Sequence, residues 1–351
     1  MGLVSRAQLF NISWSAHRLS PLHHSKDHRV LIGNQDALKT YAKRLHDLLA
    51  GDLLRSMQVN LTKSLADDAL SKAGSLVESR WEFITTHESI QEGSDDSSIE
   101  MNECMGIFIT LDYERIGYRA ALLAGPDGYT PASTDRRRKQ STHLPLLLTR
   151  MPTVLRNTFI EFLSTTFDSY CATLHLPSEF LSMTLETSIS RLMTSEDSQQ
   201  ASNATLEQVL KETQLTLSFG QLVAPSLKSL DISLPRETLS TFARGGPNND
   251  TSLFLSSLSQ YLDKHLAMKV NLQETGNESC ESKDTQHVWL SKVATGAFVL
   301  SAEGRFKLID ISSRQREPPE EQTAVQKLID LANEQILRSL VRRAAGDDLI
   351  T

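Results

Sequence analysis

The residues best equipped for chemistry are basic. Arg136-Arg137-Arg138-Lys139 is the densest basic run in the chain. Three readings of it compete. It can contact phosphates, since each Lys or Arg that neutralises one releases a counterion. It can serve as a nuclear localisation signal, or it can be a solvated loop. No aromatic residue interleaves the run, so base stacking has no support there. His17, His23, His24 and His28 crowd the N-terminal region. A metal site needs more Cys or acidic ligands than the sequence places near them, so a solvated loop is the plainer reading. Asp67-Asp68 and Asp95-Asp96 lie in polar surroundings. Paired carboxylates do acid–base work only where a cleft drives their pKa values apart. Cys171 has apolar neighbours and reads as a packed thiol. His143, His175 and His265 are isolated. The chain has no Gly-x-x-x-x-Gly-Lys-Ser/Thr loop, Gly-x-Gly-x-x-Gly turn, Gly-x-Ser-x-Gly elbow, His-Glu-x-x-His or Cys-x-x-Cys pair. An enzyme would have to assemble its site without a motif.

The elements that hold these residues follow from hydropathy. The chain has 351 residues, 39% of them hydrophobic and 23% charged, with a net charge of −7. That length can bury a sizeable core, and two domains are expected. A net negative chain meets nucleic acid only through a local patch or a partner. Three Cys far apart give no disulfide framework and fit a reducing compartment. No signal-peptide core and no apolar run long enough for a bilayer is present, so no membrane contact is expected.

Residues 144–192 organise the rest. Val154, Leu155, Thr158, Phe159, Phe162, Leu163, Thr166, Phe167 and Tyr170 follow one helical face. Pro152 suits the first turn of that helix. A second helix begins at Ser178 and carries Phe180, Leu181, Leu185, Ile189 and Leu192. Together they make a central helical hub for flanking sheets. Upstream, Phe10, Ile12, Trp14 and Ala16 alternate as a strand. Asn34 caps a helix over 36–54 with Leu38, Tyr41, Leu45, Leu48 and Leu49 on one face. A strand over 75–85 and a hairpin of 105–111 with 116–123 follow. The acidic stretch 87–103 is an exposed loop, with regulation by phosphorylation left open. Polar residues 194–204 place a domain boundary, giving 1–193 and 205–351.

Beyond it, strands are expected at 215–219 and 227–234, and a short helix after Pro235. A helix over 253–266 precedes strands over 288–293, 297–300 and 305–311. Glu303-Gly304 turns between the last two, and a terminal helix covers 323–344. The fold class is α+β, with largely antiparallel sheets packed on the central hub.

Four stretches resemble the fungal branch of the centromere protein L (CENP-L) family. They are FNISWSAHRLSPLHH at 10–24, LPLLLTRMPTVLRNTFIEFLSTTF at 144–167, VAPSLKSLDISLP at 223–235 and KVATGAFVLSAEGRFKL at 292–308. They are spread over the chain in family order. The resemblance implies a non-enzymatic structural subunit of the inner kinetochore, in the nucleus. It implies pairing with a centromere protein N (CENP-N)-like partner, or with a second copy, through the C-terminal sheet. Other inner-kinetochore subunits and centromeric DNA or nucleosomes are the further partners. No cofactor and no catalytic residue come with it.

The residues agree with that picture. A strand-rich end with a free edge is a template for another chain. Val288, Leu290, Phe298, Leu300, Phe306 and Leu308 are the expected apolar contacts with a partner. Arg305 and Lys307, two apart, share a strand face. Lys292 joins them from a neighbouring strand, and Arg136, Arg137, Arg138 and Lys139 form a second patch for DNA. The same charges can instead blunt an edge or stay solvated. A stand-alone DNA-binding protein is the second reading, and an enzyme with a motif-free site the third.

Overall fold

The computed structural model describes residues 3–24, 30–58, 72–86, 103–129, 141–194, 209, 213–220, 227–234, 253–266, 288–310 and 319–346. The chain forms two units. One comprises Met1–Leu9, Trp14–Leu174 and Leu337–Thr351; the other comprises Phe10–Ser13 and His175–Ile336.

In the first unit the alternating stretches become strands. These are β1 (Leu3–Val4), β2 (Ser13–Leu19), β3 (Leu22–His23), β4 (Leu76–Thr85), β5 (Cys104–Tyr113), β6 (Gly117–Leu123), β7 (Ser141–Thr142), β8 (Leu146–Arg150) and β9 (Cys171–Thr173). The sheet order is β1-β4-β5-β6-β8-β2, with β9 also on β2; β3 and β7 pair separately. Only β1 joins its neighbour in parallel. The expected hairpin is β5 and β6, in register from Gly106 opposite Leu123 to Asp112 opposite Gly117. β8 is a strand inside the stretch the sequence assigned to the hub. Leu146, Leu147 and Leu148 are all fully buried, so the strand shows no alternation to announce it.

Two helices pack in this unit. For α1 (Gln35–Gln58), Asn34 is the cap, its Oδ1 accepting from the Ala37 N–H at 3.0 Å. Leu38, Tyr41, Leu45 and Leu49 are buried, while Leu48 is exposed. In α2 (Thr153–Phe167) the buried residues are Leu155, Phe159, Phe162, Leu163 and Phe167. Tyr170 does not continue that face. Asp168 turns left-handed at φ 48°, ends the helix, and leaves Tyr170 74% exposed. Tyr41 meets Phe167 at 4.6 Å between ring centroids, and Trp81 lies 6.3 Å from both Tyr41 and Phe162. This aromatic cluster joins α1 and α2 to β4.

His17 points into the sheet. It is 4% exposed, and its Nε2 is hydrogen-bonded to Thr149 Oγ1 at 3.1 Å. Burial first, and the Arg156 charge second, lower its pKa from 6.5 to about 4. The unfolded chain therefore binds a proton that the folded chain refuses. Stability is complete above pH 6.5 and falls as pH drops toward 4, by about 3 kcal/mol across that window. Urea midpoints at pH 7.5 and 4.5 measure the loss. His17→Asn is expected to flatten the dependence, and an equally steep profile in that variant would remove His17 as its source.

The second unit holds β10 (Gln214–Phe219), β11 (Ser229–Ser233), β12 (Val288–Ala294), β13 (Phe298–Ser301) and β14 (Arg305–Leu308), with α3 (Ser178–Thr194) and α4 (Leu253–Leu266). Its strand order is β14-β13-β12-β10-β11, antiparallel throughout. Gly304, at φ 75°, makes the expected turn between β13 and β14, its N–H donating to Ser301 O at 2.9 Å. The core face is Leu215, Leu217, Leu290, Val293, Leu300 and Phe306. Leu181, Leu185 and Ile189 are buried apolar positions of α3, and the Leu290 N–H donates to Ser178 Oγ at 3.1 Å. The two hub helices thus fall in different units. The terminal helix, α5 (Pro319–Ala345), supplies both, divided between Ile336 and Leu337. Among the described residues, no helix is long and apolar enough to cross a membrane.

Candidate interaction face

The outward face of the second unit's sheet follows from the inward one. Leu215 and Leu217 turn into the core, so Thr216 and Ser218 turn out. Cross-strand pairing lays the outward residues in rows. One row is Ser229, Ser218 and Trp289; the next is Asp231, Thr216, Lys292 and Ser301. On the far side Lys307 stands opposite Val299. The pairing of β10 with β12 slips between Thr216 and Leu217, a bulge that takes in Ser291. The Ser291 hydroxyl donates to Thr216 O at 3.0 Å and accepts from Ser218 Oγ at 2.8 Å. Thr216 Oγ1 donates to Asp231 Oδ1 at 2.6 Å.

Three of the sequence-predicted cations gather here. Lys292, Arg305 and Lys307 line one shallow depression of about 540 Å³ with those hydroxyls. Arg305 Nε lies 3.9 Å from Glu303 Oε2 with both side chains in solvent, an ion pair worth little. Lys292 and Lys307 are half-buried, and among the described residues no carboxylate pairs with either. Arg136, Arg137, Arg138 and Lys139 lie outside the described residues, as do the expected helix after Pro235 and nearly all of the acidic loop.

Of the six expected partner contacts, Leu290, Phe298, Leu300, Phe306 and Leu308 are buried in the protein's own core, and Val288 is half-buried. Sequence reasoning passed over Trp289, whose side chain is outward and 37% exposed. Its signal was there, because alternation with Leu290 sends it out.

The free edge is not where the sequence placed it. β12 and β13 are interior strands. Beside β14 runs the 10–13 segment of the same unit. The Asn11 N–H donates to Leu308 O at 2.7 Å, and Asn11 Oδ1 accepts from the Asp310 N–H at 3.2 Å. The expectation of an open last strand is therefore corrected: the chain's own N-terminal segment takes that side. Among the described residues β11, which pairs only with β10, is the open edge of this sheet.

Other candidate chemistry disperses. Burial raises the Cys104 thiol to about 11 and the Cys171 thiol to about 12, so both stay protonated at neutral pH, unlike reactive cysteines. His24 Nε2 is hydrogen-bonded to Thr142 Oγ1 at 2.7 Å, and His28 lies outside the described residues. Among those residues no group of three or more His, Cys, Asp or Glu could hold a metal ion.

The family profile named Centromere protein L matches residues 8–345. The chain belongs to the centromere protein L family. The match takes in nearly the whole chain, including the polar face and the β11 edge. Membership makes the protein a centromere and kinetochore subunit, from a structural family, that resides at the nuclear centromere. No curated protein matches the chain significantly.

Proposed function

We propose that this CENP-L family member is a non-enzymatic structural subunit of the inner kinetochore. It pairs with a CENP-N-like partner, or with a second copy, by extending the C-terminal sheet. It offers Lys292, Arg305 and Lys307 to centromeric DNA. The observation that carries the reading is the β11 edge beside a continuous polar face. β11 reads Ser-Leu-Asp-Ile-Ser; it has no Pro to interrupt the ladder, and its one charge, Asp231, accepts from Thr216 Oγ1 on the neighbouring strand. An incoming strand completes its open hydrogen bonds and leaves the five buried core residues undisturbed.

Co-expression with a CENP-N-like protein and size exclusion test the pairing. Co-elution is expected; separate elution of two folded proteins would count against it. For DNA, a Lys292→Gln, Arg305→Gln, Lys307→Gln triple variant is expected to reduce the slope of log affinity against log salt by about 2–3, at about 0.9 per lost phosphate contact. An unchanged slope would mean that these side chains touch no phosphate. Salt-dependent binding by the chain alone, with no pairing, would favour the stand-alone DNA-binding reading.

A further inference from the structure

We infer that the outward face of the second unit's sheet binds an unpaired nucleic-acid strand, Trp289 stacking on a base while Lys292, Arg305 and Lys307 hold phosphates. This rests on the nucleic-acid reading of the face given above and adds the form of the ligand and the residue that reads it.

The argument begins with the setting of the indole. Trp14 and Trp81 are 1% and 3% exposed, whereas Trp289 is 37% exposed. Its neighbours across the strands are Ser218 and then Ser229. Residues that small leave the side of the ring uncovered. An exposed aromatic that anchored a protein would ordinarily sit in an apolar patch with charge excluded from its centre. Among the described residues, its neighbours on this face are the hydroxyls of Ser218, Ser229 and Thr216 and the cation of Lys292. Cations and hydroxyls beside one aromatic suit a polyanion that also has flat, apolar faces.

Spacing points the same way. Trp289 and Lys292 stand on adjacent rows of this face, opposite Ser218 and Thr216, which are two residues apart on β10, about 7 Å at about 3.3 Å per residue. Val299 stands between Ala294 on β12 and Lys307 on β14, so Lys307 lies two strands across from Ala294, about 10 Å at about 4.8 Å per strand, and farther than that from Trp289. Such distances suit a base on the indole with phosphates of the same and following nucleotides on the lysines. A duplex keeps its base faces stacked inside and can offer the indole only its ends. An unpaired strand offers a face at every nucleotide, and stacking of this kind tolerates any sequence. Asp231 and Glu303 also border the face. Asp231 bounds the basic track on the β11 side, while Glu303 stands within it beside Arg305.

The test uses the full-length protein. Because the other two tryptophans are buried, quenching of indole emission reports chiefly on Trp289. Titration with a single-stranded oligothymidylate is expected to quench emission as it binds. Trp289→Phe should retain binding within a few-fold. Trp289→Ala and Trp289→Leu should each lose about 10–100-fold in single-strand affinity and change duplex affinity little; the leucine keeps apolar bulk while removing the π face. Duplex binding with unaltered emission, and single-strand affinity equal in all variants, would overturn the inference and leave the basic-face reading standing. Absence of binding to either form of DNA would overturn both. Indole shielding by a co-eluting protein, with none from oligonucleotide, would overturn it in favour of Trp289 as a protein anchor.

Discussion

Phe167→Ala is expected to destabilise the first unit by about 3–5 kcal/mol. Phe167 is fully buried at the last turn of α2. Its ring lies 4.6 Å from that of Tyr41 on α1 and 6.5 Å, edge-on, from that of His24. Removing it loses the transfer energy of the ring and leaves a cavity between elements that cannot both move in. Asp168 fixes the end of α2 directly behind it, and Tyr41 is also held against Trp81. A two-unit chain need not unfold in one step, so the probe must report one unit. Trp14 and Trp81 lie in the first unit and Trp289 in the second. In a Trp289→Phe background, indole emission during urea unfolding follows the first unit alone. A lower midpoint at unchanged slope is the expected result. A loss below about 1 kcal/mol would mean that the space closes over, and that the aromatic cluster does not fix the seat of α2.

What was legible in the sequence was whatever a short window determines. The apolar face of α2, the β5–β6 hairpin, the Asn34 cap and the turn at Gly304 each depend on neighbours a few residues away. The α+β class followed from them, and the four family-like stretches led to the family. The end of α2 was lost because one residue, Asp168, takes a left-handed conformation that its type permits without demanding. β8 was lost because three buried leucines in succession have no period.

The face of the second unit shows a subtler limit. Simple alternation from Leu290 would turn Lys292 inward. The bulge that takes in Ser291 shifts the parity, so Leu290 and Val293 share the core and Lys292 joins Arg305 and Lys307 outside. The grouping of the three cations was foreseen, but its mechanism is a pairing irregularity that only the partner strand reveals. The open edge was misplaced for a related reason. Asn11 reaches Leu308 from the opposite end of the chain, and no local pattern marks which strand a distant segment will cover. Of the six residues expected as partner contacts, five belong to the apolar set that the sheet buries in its own core, and Val288 is half-buried.

Gly106→Ala is the second large effect expected, and it tests the sheet where the sequence looked safest. Gly106 lies in β5 among Met105, Ile107 and Phe108, a run in which hydropathy gives no reason to exclude alanine. The residue stands opposite Leu123 on β6 and Ile84 on β4. A Cβ at this position would overlap the Leu122 carbonyl oxygen and lie 2.9 Å from its carbon. Both are backbone atoms, so no rotamer relieves the clash. Strands on both sides of β5 prevent it from moving away. The cost is expected to be about 3 kcal/mol or more, seen as a lowered urea midpoint of the first unit by Trp14 and Trp81 emission. Gly51→Ala is the control. Gly51 is in α1, and a methyl added there would have nothing within 4 Å, so alanine should stabilise by about 0.5–1 kcal/mol. The same added carbon is thus expected to act with opposite sign, because in β5 it meets the backbone of a paired strand and in α1 it meets open space. Equal effects at the two sites would mean that the β5–β6 register is not the one described.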